Sequence, residues 1–357
     1  MAVKTTNMKL RAEPVADCTV VGAGVVGLMT ALALSKRGYS VTLLDRQASG
    51  QAASWAGGGI LSALQPWQLS SNLQQLLLDS IARYPAIVDE LRDETGIDPE
   101  YWRSGGLWLQ LPSASQYKIE CFLKQSDWPY EWQQEDNNRH NKQDRYRLWV
   151  PGLASVRNPR LLKALIQSVR QASNIKLLEH AECVQIESQG PKVMGIQTET
   201  AYVPVARLIV CAGAWTGKLL SSLGRRMEVS PVKGQMLLFS PPRVRLDRIL
   251  LGKGFYLIPR RDGQVLAGST VEDVGFNTQP TVEAYQYLHQ QAVAYWPSLL
   301  DAPVRAQWSG LRPGSKGGEP YIGLHPDYDN LYINAGHFRN GLCLAPGSAH
   351  RLVENLK

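Results

Sequence analysis

Gly22, Gly24 and Gly27 stand in a GxGxxG pattern directly after the apolar residues Thr19, Val20 and Val21, and the next apolar run closes on Asp45. This spacing suits a pyrophosphate. Gly22 permits the tight turn off a strand, Gly24 lets backbone approach the phosphates, and Gly27 lets the following helix lie close to the sheet. The helix N-terminus adds free N–H groups and the positive end of its dipole. Asp45 can accept hydrogen bonds from the hydroxyls of an adenosine ribose, and its charge opposes a 2′-phosphate, which disfavours NADP. A dinucleotide is therefore the first ligand to expect. The pattern leaves FAD and NAD both open.

Other residue groupings have chemical potential further along the chain. Ala56-Gly57-Gly58-Gly59-Ile60 is a passage almost without side chains, placed soon enough after the second predicted strand to approach the same ligand. Gly336-His337-Phe338-Arg339-Asn340-Gly341 is a second glycine turn, before the apolar run 342–345 at a predicted helix start. His337 invites a reading as general base, but a lone histidine in a glycine turn is more often structural. Arg312 lies between a predicted strand and a Pro-Gly turn, and its fork is the natural anchor for an amino-acid carboxylate. Tyr256 begins a strand and can donate a phenolic hydrogen bond to the same carboxylate. Without context, Arg312 and Tyr256 read more readily as an ordinary surface arginine and a half-buried strand tyrosine.

These residues need elements to position them. Residues 28–36 (LMTALALSK) are good helix formers that stop at Gly38, a plausible cap. Residues 73–91 predict a helix interrupted near Pro85, and 106–111 (GLWLQL) alternate like a strand. Stretch 131–147 is polar and reads as exposed. A helix over 158–172 precedes a strand at 175–178, and 207–211 (RLIVC) suits a buried parallel strand. Segments 232–239, 255–259 and 265–269 predict antiparallel strands, the last two joined through Asp262-Gly263. A strand at 331–334 leads into the second glycine turn and a final helix. There are no repeats and no low-complexity linker.

The 357 residues allow two domains and a substantial core. The expected division is a discontinuous nucleotide domain (17–90, 151–228 and 308–357) with an inserted, mostly antiparallel domain (91–150 and 229–307). Residues 1–16 read as a flexible extension, with no secretory character. No stretch is long and apolar enough to predict a membrane span, so stable membrane insertion is not expected. The net charge is +7, but apart from short groups such as Arg225-Arg226 and Arg260-Arg261 the basic residues are dispersed. That argues against nucleic acid as a partner. Cys18, Cys121, Cys183, Cys211 and Cys343 include no CxxC pair and read as reduced, small hydrophobes in a cytoplasmic chain, with no metal site.

From Cys18 to the C-terminus the chain resembles the D-amino-acid oxidase superfamily of flavoproteins, and within it the glycine oxidases associated with thiamine biosynthesis. The resemblance is carried by SWAGGGILSALQPW (54–67), VRNPRL (156–161), CAGAWTG (211–217), PVKGQM (231–236), YLIPRRDG (256–263), WSGLRPGS (308–315), PYIG (320–323) and GHFRNGLCLAP (336–346). It implies a Rossmann-type α/β FAD-binding domain, like that of glutathione reductase, with an inserted α+β substrate domain. It also implies FAD contacts from Val25, Val26, Asp45, Arg46, Ala52, Ala53, Gly57, Gly58, Gly59 and Val184. The segment His337, Phe338, Arg339, Asn340, Gly341, Leu342 and Cys343 is expected to face the flavin. Arg312 and Tyr256 fall on carboxylate-binding positions, and Arg339 lies near substrate and flavin.

Related sarcosine oxidases tether their flavin through a cysteine in the loop that here reads Gly314-Ser315-Lys316-Gly317-Gly318-Glu319, so FAD is expected to be non-covalent. The implied activity is oxidative deamination of glycine, sarcosine, D-alanine and D-proline by hydride transfer to flavin N5, with O2 as acceptor and H2O2 as product. The imine would hydrolyse or pass to thiazole-synthesis proteins. A homo-oligomer is expected. Two alternatives share the fold: a D-amino-acid dehydrogenase that reduces quinone, and a tRNA wobble-modification flavoprotein.

Overall fold

The computed structural model describes residues 14–134, 145–224 and 227–357. Most of the expected N-terminal extension, the Arg225-Arg226 pair and the middle of the polar stretch 131–147 lie outside the described residues.

The glycine pattern joins a buried strand, Cys18–Val21, to the helix Val25–Lys36, and the chain returns as the parallel strand Val41–Leu44. Gly38, at φ +86°, takes the left-handed turn that ends the helix. These strands centre a six-stranded sheet in the order Tyr321–Leu324, Leu331–Ala335, Leu208–Val210, Cys18–Val21, Val41–Leu44, Ile175–Leu178. All neighbours are parallel except the edge strand Tyr321–Leu324. Helices Val25–Lys36, Ser71–Thr95, Asn158–Gln171 and Gly341–Glu354 bury Leu28, Tyr84, Leu161 and Leu352 in the core shared with Val20, Leu43 and Ile209. Shielding of this kind is why the central strands read as short apolar runs rather than alternating ones.

Helix Ser71–Thr95 runs through Pro85 without the predicted interruption. Proline removes one ladder hydrogen bond, but Leu77, Ser80, Tyr84, Val88 and Leu91 are buried on both sides of it. The Tyr84 hydroxyl also donates to the Leu342 carbonyl at 2.6 Å, fastening the helix to the C-terminal one.

The second sheet has eight strands in the order Val304–Ser315, Val229–Phe239, Val265–Gly268, Tyr256–Pro259, Ile249–Leu251, Gly106–Pro112, Arg145–Val150, Glu131–Gln134. It is antiparallel except where Ile249–Leu251 meets Gly106–Pro112. The last two strands occupy the ends of the stretch read as merely polar and exposed, with Trp132 packed edge-to-face on Tyr146. A three-stranded sheet, Cys183–Gln189, Lys192–Thr198 and Tyr202–Pro204, and helices Gln116–Ser126 and Val282–Tyr295 were also not anticipated.

The fold is thus a Rossmann-type α/β unit with an inserted, mostly antiparallel α+β unit. Strand Val304–Ser315 belongs wholly to the second sheet, so the expected boundary at 308 falls inside it. The strand also continues through Pro313 and Gly314 where a turn was expected. Pro313 faces Pro231 and the strand is the sheet edge, where a missing N–H is tolerated.

Candidate active site

A cavity of about 420 Å³ is lined from both large sheets. Its phosphate-like end is built on the first glycine turn. Gly22 is at φ +105°, and a Cβ there would stand 2.4 Å from the Cys211 carbonyl oxygen. A Cβ on Gly27 would come within 1.7 Å of the Gly22 oxygen, so both positions require bare backbone. Gly27 performs this packing without lining the cavity, whereas Gly22, Gly24, Val25 and Val26 do line it. The Leu28 N–H is bonded to the Gly24 carbonyl at 2.9 Å, while earlier N–H groups have no helical acceptor. One of them, on Val25, donates to Ser54 Oγ at 2.9 Å.

Asp45 closes this end. Its Oδ2 accepts the Ala23 N–H at 2.7 Å and its Oδ1 the Gln47 N–H at 3.0 Å. Burial raises its pKa above the usual carboxylate value, against the pull of those two N–H groups. Each oxygen keeps acceptor capacity for a hydroxyl. Arg46 lies 3.5 Å over the Trp215 ring, and Val184, half exposed, borders the same end.

Along the middle, Ala52, Ala53, Gly57, Gly58 and Gly59 present backbone to the cavity. Gly59 adopts φ +88°, and a Cβ there would collide with the Val156 oxygen at 2.1 Å. Asn158 Nδ2 donates to the Ser54 carbonyl at 2.7 Å. Arg260 donates through Nη1 to the Val156 carbonyl at 3.0 Å and through Nη2 to that of Gly58 at 2.9 Å.

His337, Phe338, Arg339, Asn340, Gly341 and Leu342 line the facing wall. Cys343 does not: it is buried among Leu73, Leu76, Leu77 and Leu344, one turn into the helix and away from the lining. His337 is buried, and that burial alone pushes its pKa down to about 4, so the ring is neutral at pH 7. Three cavity-lining atoms, His337 Nε2, Asn158 Oδ1 and Asn334 Oδ1, are buried without a protein hydrogen-bond partner. Left unmade, each bond would cost about 1–3 kcal/mol. Bare backbone, a helix N-terminus and unspent polar atoms around one cavity fit a flat, polar ring system joined to a dinucleotide.

The substrate-like end belongs to the second sheet. Arg312 stands opposite Val232 in the strand register. Its Nη1 donates to the carbonyls of Lys233 at 3.2 Å and Thr270 at 3.1 Å, and its Nη2 to Ser269 Oγ at 2.7 Å. Among the described residues no carboxylate pairs with it. Burial lowers its pKa, Tyr256 and Glu272 raise it, and Arg339 lowers it further, yet a guanidinium stays charged at neutral pH. Tyr256 is buried, with its hydroxyl 3.4 Å from Met236 Sδ, and the exposed Arg339 completes the cluster.

Over residues 17–355 the chain matches the family described as FAD dependent oxidoreductase. The chain belongs to that family. It is 43% identical over 338 residues to the glycine oxidase of Pseudomonas aeruginosa, which spans 94% of this chain and 93% of that one. It is 31% identical to the bifunctional protein ThiO/ThiG of Trichormus variabilis, across 95% of this chain and 52% of that protein. The crystal structure of glycine oxidase from Geobacillus kaustophilus superposes with a TM-score of 0.86 at 28% identity, covering 95% of this chain and 94% of that one.

Membership in this family decides between the two cofactors that the glycine pattern left open: the protein is an FAD-dependent oxidoreductase. Sequence reasoning assigned no role to Ser54, Asn158, Gly234, Met236 or Ser269, all of which line the cavity. Ser54, Asn158, Gly234 and Met236 lie inside the motifs SWAGGGILSALQPW, VRNPRL and PVKGQM, and that was the available signal; Ser269 lies in none of them. Among the described residues no group of His, Cys, Asp or Glu could hold a metal, and no helix is long and apolar enough to cross a membrane.

Proposed function

We propose that this enzyme deaminates glycine and other small amino acids, among them sarcosine, D-alanine and D-proline, with O2 as acceptor. The observation that carries the reading is the state of Arg312. Three of its five N–H donors are taken by Lys233, Thr270 and Ser269. The rest of the fork lies beside the Tyr256 hydroxyl, which hydrogen-bonds to it, so a carboxylate would be held by the two residues together. Tyr256 supplies a further hydroxyl and Arg339 a second positive charge beside the same anion.

When bound, FAD supplies the two-electron oxidation of the amino acid to its imine, with O2 reduced to H2O2 as the cofactor is restored. The protein's own part is positioning. Arg312 and Tyr256 hold the carboxylate, the bare loop Gly57–Gly59 leaves room above it, and neutral His337 adds no charge to the amine. No protein base is required when the amine is bound unprotonated. The imine hydrolyses to glyoxylate and ammonia, or is passed to thiazole synthesis. The ThiO/ThiG relative, in which such a sequence forms about half of a bifunctional protein, supports that second route.

The test is an anaerobic titration of the FAD-loaded protein with glycine, sarcosine, D-alanine and D-proline, read as loss of the flavin absorbance. Glycine is expected to bleach it. If none of the four does so, the amino-acid reading fails. Bleaching with glycine but no consumption of O2 on admitting air would point instead to a dehydrogenase that uses a different acceptor.

A further inference from the structure

Behind Arg312 lies a polar group that the proposed reaction does not touch. Lys233 has a side chain only 1% exposed, and its Nζ donates to the Gln279 carbonyl at 2.6 Å and pairs with Glu272 Oε2 at 3.3 Å. The two residues are also joined through their backbones, since each N–H donates to the other's carbonyl at 2.9 Å. The Lys233 carbonyl thus receives both the Glu272 N–H and Arg312 Nη1. Glu272 Oε1 further accepts from Gln235 Nε2 at 2.9 Å and from the Thr270 hydroxyl, and Thr270 provides the second carbonyl under Arg312. Burial pushes the Glu272 pKa up, but hydrogen bonds from Thr270, Gln235 and Lys233 outweigh it and leave the carboxyl below its usual value.

We propose that the Lys233–Glu272 ion pair is a positioning device for the carboxylate anchor, fixing the two carbonyls that aim the Arg312 fork. The inference rests on Arg312 being that anchor. A buried ion pair is weak evidence of stability, because desolvation offsets most of its attraction, whereas a fixed geometry is what such pairs are suited to provide. Here the pair ties strand Val229–Phe239 to the irregular segment 269–281, and the Arg312 acceptors are divided between the two. If the pair is broken, the backbone bridge remains, but the Glu272 side chain no longer holds the Thr270 hydroxyl and Lys233 together, and the two carbonyls under Arg312 lose their fixed spacing. The guanidinium then keeps its charge but loses its direction.

The test is a double-mutant cycle on FAD-loaded protein, with acetate as the probe titrated by its perturbation of the flavin spectrum. Lys233→Met and, separately, the milder Glu272→Gln are expected to weaken acetate binding about tenfold in the parent background. In an Arg312→Met background the same changes should have no further effect, and the FAD dissociation constant should be unchanged throughout. Weakening of equal size in both backgrounds would make the role merely structural and overturn the proposal, as would parent-like acetate binding in Glu272→Gln. If Arg312→Met itself binds acetate as the parent does, it is the anchor assignment that falls.

Discussion

Gly234→Ala separates binding from folding at this site. A Cβ at position 234 would lie 2.1 Å from Arg312 Nη2, 2.2 Å from Nη1 and 2.3 Å from Cζ, where ordinary contact begins near 3.4 Å. The strand is wedged between neighbours, so the guanidinium, at the end of a flexible side chain, is what yields. It must move by more than about an ångström, which breaks at least the 2.7 Å bond to Ser269 and turns the fork away from the cavity. Losing two charge-assisted bonds to substrate costs roughly 3 kcal/mol or more. That is a fall in kcat/KM for glycine of about a hundredfold or more. Stability should fall by no more than about 1–3 kcal/mol, the bonds of the displaced guanidinium, since alanine is no worse than glycine in a strand. The assay is steady-state oxidation of glycine by variant with verified FAD content, beside an amine that lacks a carboxylate. The amine's slow turnover should be nearly unchanged. If Gly234→Ala holds FAD and oxidises glycine within about threefold of the parent, the Arg312 geometry is not what binds the substrate.

Three further outcomes are expected. Asp45→Ala should raise the FAD dissociation constant by about tenfold or more while leaving the saturated turnover rate close to parental, because it loses bonds far from the reacting atoms; equal FAD affinity would remove Asp45 from the site. Acid precipitation should release intact FAD into the supernatant, and yellow colour retained by the pellet would contradict a non-covalent cofactor. His337, with a folded pKa of about 4 against an ordinary 6.5, contributes fully above pH 6.5 and progressively less as pH falls toward 4, where the loss levels off. His337→Gln should therefore flatten the acid limb of apoprotein stability by on the order of 2–3 kcal/mol between those limits, measured by urea melts; a parental slope in the variant would show that another group titrates.

What could be read from the sequence was local. The glycine turn, the strand on either side of it and the run RLIVC carry their signals within a few residues, and Gly22, Gly24 and Asp45 line one end of the cavity. Arg312 and Tyr256 were recognisable as residue types, but what Arg312 can do depends on Lys233, Ser269 and Thr270, which reach it only through the pairing of distant strands. Pro85 misled because its helix is held by packing on the C-terminal helix rather than by its own ladder. Cys343 misled because it continues a cavity-lining segment, while the helical turn that begins at Gly341 rotates it inward. The three-stranded sheet was legible in principle: CVQIESQ and KVMGIQT are separated by a short turn at Gly190-Pro191, a hairpin pattern that went unread.

Arg312, the proposed substrate anchor, and the glycine turn lie on different sheets, so the proposed catalysis by positioning requires something to hold the two sheets in fixed relation. Arg260 is placed to do this. It follows Tyr256 by one strand length, and its buried guanidinium grips the carbonyl of Gly58, in the bare loop, and that of Val156, against which Gly59 packs. No carboxylate lies within contact of it among the described residues; burial, with Arg157 adding to it, lowers its pKa to about 10, so it remains charged at neutral pH. A buried cation hydrogen-bonded only to carbonyls, with Glu100 and Asp262 acting on it from further off, is a costly way to stabilise a fold. It is a good way to fix a loop that has no side chains of its own to pack. A Cβ on Gly58 would lie 2.8 Å from Ile258 Cδ1 and 3.0 Å from the Tyr256 ring, so only bare backbone fits between the loop and the residue proposed to hold the substrate. The two hydrogen bonds from Arg260 fix the loop at that close approach, which is the tolerance that the proposed reaction by positioning demands.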